Sequence, residues 1–329
     1  ILYISHKLHE IKSLCDSATI MRGGKVTGTA VPRDETPASM ARMMIGRELP
    51  VCEAPAYTGE QKPVLEVRGL SLTSDDPFGT ALADISLTVQ SGEILGIAGI
   101  SGNGQAELLA ALSGENTVDR EAIKLSGEAI GHLDAGQRRS KGLVFVPEER
   151  LGRGAVPSLS LARNALLTAH RKGMKQWGLV KYKKAWEFAE QCIARFDVRC
   201  GGPASAARSL SGGNLQKFIV GREIMLAPQL MIVAQPTWGV DAGAAAAIHQ
   251  ALIALAAKGT AVLVISQDLD ELLALTDRLA VINVGVVSSA MDTGSAKIDE
   301  IGLLMGGLHG LDVHPDPQAG EHLRQGHAA

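Results

Sequence analysis

The octet Leu210-Ser211-Gly212-Gly213-Asn214-Leu215-Gln216-Lys217 leads into residues 218–226, a run that reads as a helix. A serine and two glycines at a helix start leave a hydroxyl and backbone N–H groups free to face an anion, and the helix dipole adds its positive end. The chemistry on offer is phosphate binding; the plain alternative is a Ser-capped helix after a glycine turn. A second glycine-rich stretch, Gly99-Ile100-Ser101-Gly102-Asn103-Gly104-Gln105-Ala106, stands between a strand and a helix. Its frame is that of the phosphate loop G-x-x-x-x-G-K-[ST], whose backbone wraps the phosphates, whose lysine reaches the β- and γ-phosphates and whose hydroxyl binds Mg²⁺. Gln105 stands where the lysine belongs and Ala106 where the hydroxyl belongs. Such a loop either holds nucleotide weakly through backbone groups or is a tight turn that binds nothing. A third stretch, Leu230-Met231-Ile232-Val233-Ala234, is a buried-strand run ending at Gln235-Pro236-Thr237.

The elements that must position these residues are legible as an alternation. Residues 65–72, 81–89 and 93–97 read as alternating strands, a pattern consistent with one small antiparallel sheet, and 107–112 as an amphipathic helix. Residues 142–146 form a strand that leads to Pro147-Glu148-Glu149-Arg150, an exposed turn by composition, and 162–196 read as helices with basic solvent faces at Arg171, Lys172 and Lys181. Trp238 is expected to be buried. A helix over 243–257 places His249 on its polar side, and a strand over 261–265 ends at Ser266-Gln267.

The chain also repeats itself. Ile4-Ser5-His6-Lys7-Leu8-His9-Glu10-Ile11 aligns with Ile265-Ser266-Gln267-Asp268-Leu269-Asp270-Glu271-Leu272 at an offset of 261 positions (265 − 4), and the same offset pairs Asp16 with Asp277, Ile20 with Val281 and Gly24 with Gly285. Residues 1–4 read as a strand, 7–14 as a helix and 39–46 as a short helix. The expectation is therefore the tail of one domain (1–46), a Pro-marked linker (47–63), a complete second copy (64–310) and a disordered tail (311–329).

Glycine loop, octet and strand, in that chain order, resemble the ATP-binding domain of ATP-binding cassette (ABC) transporters. The resemblance implies an α/β, P-loop NTPase-like fold with a mostly parallel core sheet, a small antiparallel β-subdomain and an α-helical subdomain. It makes Leu210, Ser211, Gly212, Gly213, Asn214 and Gln216 the signature motif, and Gly99, Ser101, Gly102, Asn103, Gly104, Gln105 and Ala106 a degenerate phosphate loop. Glu148 takes the Q-loop position. Ala234 and Gln235 stand where the family has Asp for Mg²⁺ and Glu for orienting the attacking water; losing a general base costs roughly a hundredfold to ten-thousandfold. Asp241 falls in the D-loop, and Gln267 takes the switch position that His6 holds in the first copy, where a histidine would bond the γ-phosphate.

In ABC dimers each nucleotide lies between the phosphate loop of one domain and the signature of the other. Loss of Gln105, Ala106, Ala234, Gln235 and Gln267 chemistry beside an intact octet thus implies a second domain that lends its signature to the first. ATP and Mg²⁺ would bind at that shared site, His6 would act in catalysis, and the second copy by itself would be inactive. Asn214 and the Pro-Glu-Glu-Arg turn resemble simple-sugar importers, while residues 233–243 and 266–271 resemble the nucleoside-importing branch. Implied partners are integral-membrane permease subunits and, through them, an extracytoplasmic substrate-binding protein or lipoprotein, at the cytoplasmic face of a bacterial inner membrane. The rival classes are a soluble tandem ABC protein on ribosomes and a regulatory pseudo-ATPase.

Composition bounds these readings. With 46% hydrophobic residues, 329 residues suffice for a large core, and a net charge of −3 gives no basic footprint for nucleic acid. No apolar run is long enough for a membrane span. Cys15, Cys52, Cys192 and Cys200 lack metal-ligand spacing and read as unpaired thiols.

Overall fold

The computed structural model describes residues 1–4, 8–22, 24–36, 39–40, 43, 57–74 and 76–307. His6, most of the linker and the expected tail lie outside the described residues. The first group of elements is small: helix α1 (Leu8–Leu14) and an antiparallel hairpin of β1 (Ala18–Arg22) and β2 (Lys25–Ala30), turning at Gly24 with φ +77°. The strand expected over residues 1–4 does not form; these residues are exposed and pair with no strand among the described residues. An isolated strand has no partner for its backbone groups, so apolar sequence alone does not make one.

From residue 63 the chain builds a larger body. β3 (Pro63–Leu72) and β4 (Leu82–Gln90) pair antiparallel, with alternate residues such as Leu65, Val67 and Ile85 buried. β5 (Ile94–Ala98) follows and is buried at every residue. Next come α2 (Gln105–Ser113), β6 (Ile123–Leu125), β7 (Glu128–Ala129), α3 (Ala135–Ser140) and β8 (Leu143–Val146). A helical excursion then holds α4 (Leu161–Ala169), the short hairpin β9 (Lys175–Gln176) and β10 (Leu179–Val180), α5 (Tyr182–Arg195) and α6 (Gly212–Ile224). The chain closes with β11 (Leu230–Ala234), α7 (Ala242–Ala256), β12 (Ala261–Ser266), α8 (Leu269–Leu275), β13 (Arg278–Asn283), β14 (Val286–Val287), β15 (Met291–Asp292) and α9 (Ile298–Met305).

The strands sort into two larger sheets. β13, β5, β12, β11 and β8 are parallel neighbours in that order, with β14 and β15 antiparallel on β13. A four-stranded antiparallel sheet runs β4-β3-β6-β7. The architecture is therefore α/β with a mostly parallel core, a small antiparallel sheet and a helical excursion, but 93–97 were misassigned by sequence. That strand belongs to the parallel core; full burial on both faces, rather than alternation, is the mark of such a strand. Helix is also interrupted within 162–196, where Gly173 and Gly178, both at positive φ, turn the chain into the β9–β10 hairpin.

Two apolar clusters lie against opposite faces of the core sheet. One joins β3, β4 and α2 to Leu95, Ile97, Leu263 and Ile265; the other joins α5, α6 and α7 to Val233, Val262 and Val264. Each fully buried Leu or Ile contributes on the order of 1.5–3 kcal/mol. Arg138 is wholly buried and donates to the carbonyls of Ala111, Leu112, Gly131 and Leu133, so its guanidinium closes the C-terminal end of α2. Burial pulls its pKa down to about 10.

The repeat has a structural counterpart. α8 starts 261 positions after α1 (269 − 8) and has the same length, and the β13–β14 turn at Gly285, φ +76°, lies 261 positions after Gly24. Glycine at both turns matches their left-handed backbone.

Candidate functional site

The glycine loop at the tip of β5 is closed on itself. Gln105 turns back into it: its Nε2 donates to Ile100 O at 2.8 Å and its Oε1 accepts the Asn103 N–H at 3.0 Å. Asn103 Nδ2 also donates to Ile100 O, at 3.0 Å. A methyl group on Gly99 would lie 2.5 Å from Gln105 Nε2, so the side chain fills the space inside the turn. Outside, the loop is fastened to neighbours. Thr80 Oγ1 donates to Gly102 O at 2.7 Å, Val284 N to Asn103 Oδ1 at 3.0 Å and Gly285 N to Asn103 O at 2.9 Å. A phosphate loop keeps its N–H groups for the ligand. Here one of them is spent on the loop's own amide, and Ser101 and Ala106 sit exposed beside it.

The end of β11 carries a polar cluster without a metal-binding character. Ala234 is buried, and Gln235, at φ +47°, is 7% exposed. Gln235 Oε1 accepts from Ser266 Oγ at 3.4 Å and from the Gln267 N–H at 3.3 Å. The centre of the cluster is Glu271, 7% exposed, which accepts from Thr237 Oγ1, from Ser266 Oγ at 2.7 Å and pairs with His249 Nε2 at 3.0 Å. His249 is thus bonded and half-buried rather than a free group on a polar helix face. Removing Glu271 would strand the half-buried Thr237 and His249 groups, each worth about 1–3 kcal/mol if left unpaired, and would leave Ser266 with only its long bond to Gln235. Mg²⁺ requires oxygen ligands with carboxylate among them; Ala106 and Ala234 supply none, and among the described residues no group of three His, Cys, Asp or Glu gathers to hold a metal. The residues present here do not fit the metal.

The octet presents the opposite arrangement. Ser211 is the N-cap of α6 and exposed, yet its side chain caps no helix N–H. Its Oγ accepts from Asn214 Nδ2 at 2.9 Å, and Asn214 Oδ1 accepts the Arg199 N–H at 2.8 Å. The serine is held in place, and among the described residues its side chain does not cap the first-turn amides of this thirteen-residue helix. Leu210 precedes it in extended conformation. Gly213 is buried, and a methyl there would meet Ala244 Cβ at 3.0 Å and Asp241 Oδ2 at 3.1 Å. Asp241 itself caps α7, accepting from Ala244 N at 2.9 Å. Gln216 is 1% exposed, with an Oε1 that has no partner among the described residues. α6 is pinned by Arg222 and Glu223: Arg222 Nε donates to Glu223 at 2.8 Å, Arg139 pairs with the other oxygen, and Arg222 Nη2 donates to Gly154 O at 3.0 Å.

One cation reaches this surface that sequence reading left in solvent. A methyl on Gly212 would lie 2.6 Å from Arg150 Nη1, and one on Gly239 would lie 3.5 Å from Nη2. Arg150 therefore lies between the start of α6 and the turn after β11. Burial lowers its pKa, and no charge opposes that shift. Only Gly212 and Gly239 could have signalled it, since their missing side chains leave the room that Arg150 occupies. Glu148 is exposed in the turn before Arg150, and Trp238, expected to be buried, is 57% exposed. No hydrogen bond joins the octet to residues 99–106 among the described residues, so loop and octet are separate surfaces.

Residues 82–238 match the family described as ABC transporter. The chain is 39% identical over 308 residues to the nucleoside import ATP-binding protein NupA of Lactococcus lactis subsp. cremoris, covering 93% of this chain and 61% of that protein. It is 37% identical to the guanosine import ATP-binding protein NupO of Bacillus subtilis, over 89% of this chain and 58% of that protein. The glucose import ATP-binding protein TsgD13 of Haloferax volcanii is also 37% identical, over 93% of this chain and 56% of its own length. The chain thus spans from 56% to 61% of these relatives. In fold it is similar to the dimeric ATP-binding cassette MJ0796 bound to ADP and Pi, with a TM-score of 0.60 and 20% identity over 70% of this chain and 98% of that one.

Proposed function

The chain belongs to the ABC transporter family, and from that premise we propose that it is part of the ATP-binding, energy-coupling subunit of an importer for nucleosides or simple sugars. The observation that carries the reading is the contrast within one domain: an open, positively flanked octet beside a glycine loop filled by Gln105. The domain of residues 64–310 lends Ser211, Gly212 and Gly213 to a nucleotide held by another ABC domain and holds none in its own loop. Gly212 and Gly213 amides, the Ser211 hydroxyl and the Arg150 charge suit the γ-phosphate of ATP, whose own Mg²⁺ would be held by that other domain.

The other domain, on this reading, is the first copy of the repeat, represented by α1 and the β1–β2 hairpin. His6 belongs to that copy and would face its γ-phosphate. Relatives named for nucleoside, guanosine and glucose import support that substrate class. The work would be done at the cytoplasmic face of a membrane, against permease subunits supplied by an external binding protein or lipoprotein. No helix among the described residues is long and apolar enough to cross a membrane. The test is nucleotide stoichiometry in a polypeptide that carries both copies in full. Equilibrium dialysis with a non-hydrolysable ATP analogue should saturate at one nucleotide per polypeptide; saturation at two, with the second lost on altering residues 99–106, would overturn the reading.

A further inference from the structure

The helical excursion carries a feature that the nucleotide chemistry does not use. β9 and β10 pair Gln176 with Leu179 and Lys175 with Val180, leaving Trp177 and Gly178 as a two-residue turn. Their φ values are +53° and +80°, the pattern of a type I′ turn, which asparagine and glycine fill best. A bulky aromatic in the left-handed region is a backbone outlier, and such outliers persist where the side chain is wanted for something other than folding. Trp177 is 92% exposed and Leu179 74%. The base of the hairpin is firm: Lys181 N donates to Met174 O at 2.7 Å, and Met174 is buried with Ala169 and Ala185 in a small core of its own.

The charge around this tip is of one sign. From residue 171 to residue 184 the chain has Arg171, Lys172, Lys175, Lys181, Lys183 and Lys184 and no Asp or Glu, in a protein whose net charge is −3. All six are exposed, and none forms an ion pair with a carboxylate among the described residues. A convex tip of indole and aliphatic side chains ringed by unpaired cations fits a bilayer surface. The indole prefers the headgroup level, and the cations prefer anionic lipid. A protein partner would instead bury a tryptophan in a pocket and meet the cations with carboxylates at fixed positions.

We propose that the hairpin Lys175–Val180 is a lipid-contacting anchor that places Trp177 in the interface of an anionic membrane. The inference stands apart from the nucleotide reading, and its test uses no nucleotide. The 329-residue chain is sedimented with vesicles of phosphatidylcholine alone or with about a third of phosphatidylglycerol. Binding is expected to the anionic vesicles only, weakening as salt rises. Trp177→Asn should lower it severalfold while leaving the thermal midpoint equal or higher, since asparagine suits the turn. Each of Lys172→Gln, Lys175→Gln and Lys181→Gln should lower the partition by about fivefold. Equal binding to neutral vesicles, no vesicle binding, or unchanged binding by Trp177→Asn would overturn the proposal. So would binding seen only when purified permease subunits are present in the vesicles, which would make the hairpin a protein contact.

Discussion

Residues 99–106 and 210–217 are both glycine-rich starts of helices, and they end in opposite states. In the first, the residue after the last glycine folds its amide back and satisfies the turn. In the second, the cap serine is held from the side by Asn214 and leaves the helix end open. Glycine content does not separate a phosphate seat from a closed turn. What separates them is whether a neighbouring side chain has already turned into the space inside the turn and taken one of its N–H groups.

That contrast can be broken most directly at Ser211. In a polypeptide with both copies complete, Ser211→Arg should lower ATP turnover by about a hundredfold to a thousandfold, measured as phosphate release. The thermal midpoint should hold, since the side chain is exposed; retained turnover would erase the difference between the two surfaces. Next in size is Glu271→Ala. Loss of the acceptor for Thr237, Ser266 and His249 should cost about 2–3 kcal/mol in denaturant unfolding, and a neutral result would mean that the cluster replacing the metal site carries no structural weight. Arg150→Ala should reduce turnover by about tenfold, the worth of one charge-assisted hydrogen bond. Gln105→Ala is the smallest and the most telling: turnover within about twofold of the parent and about 1 kcal/mol less stability. A large loss of turnover there would show that the closed loop takes part in hydrolysis.

Much of the fold was legible because its signals are local. Buried runs such as Leu230–Ala234 and Ala261–Ser266, and the glycine-turn helix starts, follow from chain pattern alone. Residues 93–97 were assigned to the wrong sheet because a short apolar run does not say which neighbours it will find. The β9–β10 hairpin was read as helix because Trp177 is an unusual residue for a type I′ turn, so the turn signal was weak. At the site, the missing lysine, hydroxyl and carboxylate could be read directly from Gln105, Ala106 and Ala234. What took their place could not: Gln105 reaches Ile100, Glu271 reaches Thr237 and His249 across 34 and 22 positions, and Arg150 reaches Gly212 only after the chain has folded.

The closed loop has a thermodynamic corollary. A domain whose phosphate seat stays open gains stability from every nucleotide that binds it, so its folded population follows ligand concentration. On the proposed reading, with Gln105 supplying the internal partner, the core sheet of this domain would have no such linkage through its own loop. If the proposed half-site role holds, nucleotide depletion would leave the domain as firmly folded as plenty does, with Ser211 in place whenever ATP returns to the other copy.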